Sequence, residues 1–168
     1  MDWVSQSSSL ILFEPGPKTF AESPWQAPFP LAMHINLLKS KIHRASVTGA
    51  SLDYEGSLSV SSDIAETVGL LPYERILVSN LENGKRFETY VIFAAPGQGI
   101  IELNGATAHL GKIGDLLTIM NFAQLTPDEA KSHRPRIAVL DRQNRIMRRE
   151  SGETPTSRRE WEAEVIRK

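Results

Sequence analysis

Hydrophobic and polar residues alternate along much of the central chain, which is the period of a β-strand rather than of a helix. Residues 41–48 alternate in this way, and residues 74–80 place Ile76 and Val78 on one face. The same reasoning predicts strands over residues 86–94, 100–103, 115–122 and 136–140. Hydrophobic patterning therefore predicts a domain built mainly from short strands.

Turn signals lie between these strands. Asn83-Gly84 predicts a two-residue type I′ hairpin, because that turn needs a positive φ at both central residues. Many short strands within roughly 110 residues favour a closed or nearly closed barrel, since closure removes exposed sheet edges.

Two short helices are predicted beside the strands. The first covers residues 63–69 and would begin at a capping box formed by Asp63 and Glu66. The second would begin at Thr126, with Pro127 at the first helical position and an acid three residues after the cap.

The two ends of the chain differ from its centre. Residues 1–32 hold half of the ten prolines, which remove backbone donors and disfavour helix, so we expect an extended or flexible N-terminal extension. Residues 142–168 hold eight basic and five acidic residues, which is typical of a solvated tail. A short helix over residues 158–166 is the alternative for this tail. The ordered domain is expected over residues 33–141.

Composition and charge exclude several classes of function. The 168 residues carry a formal net charge of -1, so the basic excess typical of nucleic-acid binding is absent. The chain has no cysteine, which excludes a disulfide scaffold, a thiolate nucleophile and a cysteine-ligated metal. No apolar run reaches 18 residues and no signal-peptide pattern is present, so we expect a cytoplasmic protein without a membrane partner.

Generic motifs leave the chemistry open. The four histidines show no metal-ligand spacing, which favours structural or surface roles for His34, His43, His109 and His133. A Gly-Ser pair usually marks a turn, but the Ser57 hydroxyl could also attack the Gly56 carbonyl, which a residue without Cβ leaves accessible. The residues alone do not choose between a turn and a self-cleaving bond.

Several collinear segments carry a family resemblance. The main segments are residues 38–48 (LKSKIHRASVT), 52–57 (LDYEGS), 83–90 (NGKRFETY) and 101–109 (IELNGATAH), with shorter matches at 114–116 (GDL) and 134–137 (RPRI). Over about residues 33–141 the chain resembles the pyruvoyl-dependent aspartate 1-decarboxylases. Met33 falls where family members normally begin, so residues 1–32 would be an added extension.

The resemblance implies a mainly β fold, a double-psi β-barrel with a few short helices. It also implies a homotetramer with active sites between subunits, made as an inactive proenzyme. In the implied maturation Ser57 attacks the Gly56 carbonyl to give an ester, and elimination leaves dehydroalanine. Hydrolysis then releases ammonia and leaves a pyruvoyl group at the start of residues 57–168. The cofactor would thus come from Ser57, without pyridoxal phosphate or a metal.

The implied reaction converts L-aspartate to β-alanine and CO2, with the pyruvoyl carbonyl forming a Schiff base to the substrate amine. Tyr90 matches the family's proton donor, and Lys41 and Arg86 match the cations that meet the substrate carboxylates. The matching substrate-binding positions are Thr89, Gly105, Ala106 and Thr107, and the supporting positions are Asn104 and Tyr54.

The chain departs from the family at Thr107, where alanine is usual. If this segment binds substrate through its backbone amides, the change should be tolerated; if the side chain faces the pocket, it would shrink the pocket or add a donor. The need for a helper protein in maturation stays open. So does the fate of the β-alanine, which could enter pantothenate and coenzyme A or a secondary metabolite.

A non-cleaving barrel that serves as a binding or scaffolding module is the alternative function. Such a module has no need for the whole set of Gly56, Ser57, Tyr90, Lys41 and Arg86, so their joint presence favours the enzyme.

Overall fold

Nine strands and three short helices make up the computed structural model, which describes residues 33–54 and 56–151. The strands are β1 (Ile35–Ser46), β2 (Gly49–Ser51), β3 (Ser57–Ser61), β4 (Arg75–Asn80), β5 (Arg86–Ala94), β6 (Ile101–Asn104), β7 (Leu116–Leu125), β8 (Arg136–Leu140) and β9 (Ile146–Ser151). The helices are α1 (Ser62–Thr67), a 3-10 helix (Gly105–Leu110) and α2 (Pro127–Ser132). Within these ranges, no helix is long and apolar enough to cross a membrane.

The strands form one mixed sheet that closes on itself. Its order is β2-β6-β3-β5-β4-β7-β1-β8-β9. Since β2 follows β1 after only Val47 and Thr48, the continuous β1–β2 segment pairs with β7 at one end and with β6 at the other. Three of the pairs are parallel (β1–β8, β2–β6 and β3–β5) and the other five are antiparallel. This closed mixed sheet with few short helices confirms the expected double-psi β-barrel.

The core fills the barrel, and the predicted alternation explains which residues enter it. Ile42, Ile119 and Val78 pair across β1, β7 and β4, and each is at most 1% exposed. Their chain neighbours point to the outer face because successive strand residues point to opposite sides. Other fully buried side chains include Leu58, Val60, Val91, Ile101, Leu103, Leu117 and Leu140.

The predicted hairpin is present, but its turn type is wrong. β4 and β5 pair antiparallel, and five residues join them instead of two. Gly84 has a φ of +72°, whereas Asn83 is not among the residues with a positive φ, so the turn is not type I′. Asn83 instead accepts a hydrogen bond from the Lys85 amide through its side chain, which closes the longer loop.

Of the two predicted helix caps, the one at Thr126 is confirmed and the one at Asp63 is wrong. The Thr126 cap is confirmed, with a full capping box to Glu129, and the backbone hydrogen bond from Thr126 lowers the pKa of Glu129. The Asp63 cap is wrong, because α1 begins one residue earlier and Asp63 lies in its first turn. The residue at the cap, Ser61, accepts a hydrogen bond from the Ile100 amide instead.

The sheet continues past the predicted end of the domain at residue 141. Strand β9 pairs antiparallel with β8, from Arg136 opposite Ser151 to Leu140 opposite Ile146. The predicted N-terminal extension and the alternative C-terminal helix lie outside the described residues.

Candidate active site

The Gly56–Ser57 peptide lies at the start of β3 with an unusual backbone. Gly56 has a φ of +93° and Ser57 a φ of +111°. Glycine adopts such values readily, but a serine side chain at positive φ is strained, typically by about 1–3 kcal/mol. The bond between these residues is therefore held in a conformation that its surroundings must enforce.

Those surroundings begin with Asn104 on β6, which pairs with Ser57 across the two strands. The Asn104 side-chain amide donates to the Ser59 hydroxyl at 2.8 Å and lies 3.5 Å from the Ser57 hydroxyl. Ser57 is 2% exposed and Asn104 3%. The Ser57 hydroxyl is thus buried on the outer face of β3, beside an amide that can donate to it.

Gly105 brings a second backbone against the same peptide. A Cβ at Gly105 would lie 2.7 Å from the Tyr54 carbonyl oxygen and 2.8 Å from both the Cα and the nitrogen of Gly56. The Gly56 amide itself donates to the Tyr54 carbonyl at 2.7 Å. Only a residue without a side chain allows this approach, so Gly105 and the main chain of Tyr54 set the position of Gly56.

The segment from Gly105 to Thr107 alternates in exposure at the start of the 3-10 helix. Gly105 and Thr107 are buried, and Ala106 between them is exposed. The Thr107 hydroxyl lies 3.1 Å from the Ser57 carbonyl oxygen and 2.9 Å from the Asn104 carbonyl oxygen. The side chain that departs from the family pattern therefore faces Ser57.

Tyr90 lies next to Ser57 in strand register. Leu58 pairs with Val91 in the parallel β3–β5 ladder, so the residues that precede them are Ser57 and Tyr90. Neighbouring strands are about 4.8 Å apart. Leu58 and Val91 are both fully buried, which puts Ser57 and Tyr90 on the opposite, outer face. Tyr90 is 38% exposed, and its ring centroid lies 6.3 Å from that of Tyr73.

Thr89 occupies the other face of β5. It pairs with Ile76, a core residue, and precedes Tyr90 by one position. Strand alternation therefore separates its side chain from those of Arg86 and Tyr90.

Arg86 shares the outer face of β5 with Tyr90 but lies four residues away, about 13 Å along the strand. It is exposed, and among the described residues it has no ion-pair or side-chain hydrogen-bond partner. Arg86 pairs with Ser79, Ser79 with Thr118, and Thr118 with His43, so one row crosses four strands.

Lys41 is far from Ser57 around the barrel. On one side, β7, β4 and β5 separate its strand from β3. On the other side, Ser51 and Ser57 both pair with Asn104, so Ser51 is the residue of the β1–β2 segment that is level with Ser57. Lys41 lies ten residues before Ser51 along that segment. Lys41 is half-buried and, like Arg86, has no ion pair within the described part of the chain.

The structure thus brings together Ser57, Gly56, Asn104, Thr107 and Tyr90 and leaves two predicted cations apart from them. It also adds Ser59, which the sequence reasoning did not select. The signal for Ser59 was its spacing of two from Ser57, which puts both hydroxyls on one face of a strand.

Comparisons with known proteins relate this chain to one family. Residues 33–147 match the family described as aspartate decarboxylase. The aspartate 1-decarboxylase of Campylobacter jejuni subsp. doylei is 49% identical over 112 residues, which are 67% of this chain and 88% of the relative. The aspartate 1-decarboxylase of Lactiplantibacillus plantarum is 46% identical over 117 residues, which are 70% of this chain and 90% of the relative.

Proposed function

This chain belongs to the aspartate decarboxylase family, and on that premise we propose that it cleaves its own Gly56–Ser57 bond and then converts L-aspartate to β-alanine and CO2. The observation that carries the proposal is the Gly56–Ser57 peptide itself. It has a positive φ on both sides, its serine is buried beside Asn104, and its half-buried glycine lies against Gly105. A plain turn would need neither the strain nor the enclosure.

The maturation begins with the Ser57 hydroxyl. Its oxygen attacks the Gly56 carbonyl carbon, the C–N bond of the peptide breaks, and an ester with a free Ser57 amine forms. Asn104 supports this step because its side-chain amide lies 3.5 Å from the Ser57 oxygen and can donate a hydrogen bond to it. Cleavage of the peptide would also release the backbone strain at Ser57.

Elimination and hydrolysis complete the conversion of Ser57. Loss of the Ser57 α-proton and of Gly56 as a carboxylate leaves dehydroalanine, and water then replaces its amine, which departs as ammonia. The products are residues 1–56 and residues 57–168, the latter beginning with a pyruvoyl group.

The surroundings of Ser57 fit such a group. Asn104 and Thr107 direct hydrogen-bond donors at its oxygen atoms, and the bare Cα of Gly105 leaves room beside Gly56. When present, the pyruvoyl group supplies a carbonyl that binds the substrate amine and accepts the electrons released with CO2.

Tyr90 is the proposed proton donor to the carbon that loses CO2. Its backbone precedes Val91, as that of Ser57 precedes Leu58, and the exposure of its side chain leaves the phenol accessible to substrate; both observations support this role. A positioned general acid of this kind typically contributes about 10²–10⁴-fold to a rate. Ala106, exposed between two buried residues, would offer its backbone amide to the substrate, and Thr89, which directly precedes Tyr90 on β5, would contact the substrate through its backbone.

Lys41 and Arg86 are proposed to bind the substrate carboxylates from a neighbouring subunit. Within one chain, neither cation is near Ser57, whereas both lie on the outer face of the barrel, where a second copy can approach. Neither cation forms an ion pair with another described residue, so both are suited to pair with an anionic substrate. This geometry supports the proposed homotetramer with active sites between subunits.

Intact mass distinguishes this function from an uncleaved scaffold. We expect the purified parent to give two chains, residues 1–56 and pyruvoyl-57–168, and to form β-alanine from L-aspartate. Ser57→Ala should stay full-length and inactive. Ser61→Ala is the matched control, because it removes a buried hydroxyl from the same strand away from the cleaved bond. A parent that stays full-length after prolonged incubation, while folded, would overturn the proposal.

A further inference from the structure

The Thr107 hydroxyl beside Ser57 has no role in the cleavage and elimination steps described above. Thr107 is 8% exposed, and its Oγ1 lies 3.1 Å from the carbonyl oxygen of Ser57 and 2.9 Å from that of Asn104. The Ser57 oxygen is not the carbonyl that the serine attacks, which belongs to Gly56. It is the carbonyl attached to the carbon that must lose its proton in the elimination.

We propose that the Thr107 hydroxyl donates a hydrogen bond to the Ser57 carbonyl oxygen and stabilises the negative charge on that oxygen while Ser57 is converted. This inference rests on the proposed self-processing and assigns Thr107 to its elimination step, after the ester has formed.

The charge arises as follows. Water acting as the base takes the α-proton of Ser57, and the electron pair of the broken C–H bond moves into the adjacent carbonyl, giving an enolate oxygen. The pair then returns to form the Cα=Cβ double bond as the Cβ–Oγ bond breaks. Gly56 leaves as a carboxylate with the electrons of that bond, and residue 57 becomes dehydroalanine. The enolate oxygen is the one that Thr107 faces.

Two acceptors compete for the single proton of Thr107. The bond to Asn104 is the local i−3 bond that threonines commonly make in helices, and it accounts for the hydroxyl while both acceptors are neutral. Hydrogen bonds to charged acceptors are roughly twice as strong as those to neutral ones. As charge develops on the Ser57 oxygen, the proton is therefore expected to favour that acceptor.

Burial strengthens this effect. Ser57, Asn104 and Thr107 are all less than a tenth exposed, so bulk water screens the developing charge only weakly, although a single water molecule serves as the base. A donor already in place also needs no rearrangement when the charge appears, which is the basis of oxyanion stabilisation in enzymes.

The test compares Thr107→Val, which removes the hydroxyl at similar shape, with Thr107→Ser, which keeps it. Thr67→Val is the matched control, because the Thr67 hydroxyl makes only a local helix bond, to the Asp63 carbonyl at 2.8 Å. Intact mass follows each full chain from shortly after synthesis. Brief neutral hydroxylamine treatment of the denatured chain measures the ester, since it releases residues 57–168 with an N-terminal serine in place of pyruvoyl. Attack at the Asn83–Gly84 or Asn104–Gly105 bonds gives fragments of other masses.

We expect Thr107→Val to form the pyruvoyl chain at least about tenfold more slowly and to accumulate the hydroxylamine-sensitive ester. Thr107→Ser and Thr67→Val should resemble the parent. If the valine variant does not fold, as judged by circular dichroism, Thr107→Ala supplies the same comparison. Parent-like rates in the hydroxyl-free variant, or accumulation of a hydroxylamine-resistant full-length chain, would overturn the role of Thr107. A folded parent that never cleaves would instead remove the proposed function, and this inference with it.

Discussion

Ser57 and Tyr90 occupy neighbouring positions on two parallel strands, one step before the paired and fully buried Leu58 and Val91. The core pair fixes the register, because a slip of either strand by one residue would turn its apolar side chain away from the core. The same register sets the serine that would become the cofactor beside the phenol that would donate the proton. A core contact thus determines the geometry of the candidate site.

Tyr90→Phe should separate maturation from turnover. The cleavage of Gly56–Ser57 depends on Ser57 and its backbone, so the variant should still give two chains by mass. Its β-alanine formation should fall by about 10²–10⁴-fold, because a positioned acid is lost. Tyr73→Phe is the matched control, since it removes the hydroxyl of the neighbouring exposed ring and should leave turnover unchanged. Equal loss in both variants, or none in Tyr90→Phe, would contradict the assignment.

Lys41→Ala and Ser57→Ala should complement each other when mixed. Each variant alone should be inactive, but a site between subunits can take its lysine from one chain and its serine from the other. Refolding the two at equal amounts should restore about a quarter of the parent activity, the share of sites with both groups intact in a random assembly. The check is β-alanine formation after mixing, with unmixed variants refolded in parallel. If mixing restores no activity, Lys41 and Ser57 of the same chain must act together.

Gly105→Ala should block maturation. Its Cβ would come within 2.8 Å of Gly56 backbone atoms, so the cleaved peptide must shift, and its φ of +60° adds strain. Gly84→Ala is the control for strain alone, because its φ is +72° with no heavy atom within 4 Å of the added Cβ. We expect mainly full-length chain from Gly105→Ala and two chains from Gly84→Ala. A cooperative thermal unfolding transition should show that both variants are folded. Normal cleavage in Gly105→Ala would show that the close approach is unimportant.

Arg86→Gln should weaken substrate binding without affecting cleavage. Arg86 lies about 13 Å along the strand from Tyr90, so the peptide beside Tyr90 should mature normally. Loss of the guanidinium should raise KM for L-aspartate more than it lowers kcat, which steady-state kinetics on the cleaved protein would measure. Arg75→Gln is the control, because this exposed arginine is ion-paired with Glu88 on the same face. An unchanged KM in Arg86→Gln would remove Arg86 from the substrate site.

Substrate choice tests the two-cation arrangement as a whole. L-Glutamate carries the same charges as L-aspartate with one more methylene, for which a pocket discriminates by about 1–3 kcal/mol. We therefore expect kcat/KM for glutamate to be about 10- to 200-fold lower. A preference for glutamate or for a monocarboxylic amino acid would contradict the proposed roles of Lys41 and Arg86.

Local sequence determined the parts of this protein that depend on near neighbours. Alternation predicted the strand Arg136–Leu140 and the inward faces of Ile76 and Val78, because side-chain direction follows strand period. The capping box at Thr126 was readable because its partners are three residues apart. The family motifs selected Gly56 and Ser57, since the chemistry of cleavage needs two consecutive residues.

Tertiary structure decided everything that depends on residues far apart in the chain. The side-chain amides of Asn80 and Asn83 both donate to the Leu110 carbonyl, at 3.2 and 3.0 Å, and this distant contact anchors the loop that stands in place of the expected two-residue turn. Closure of the barrel put Lys41 well away from Ser57, and the spacing of the motifs along the sequence gave no measure of that separation. The direction of Thr107 depends on the pairing of Ser57 with Asn104, because that register brings the 3-10 helix over β3. Sequence supplies the reacting groups, and the strand register, set by burial of the barrel core, decides which of them meet.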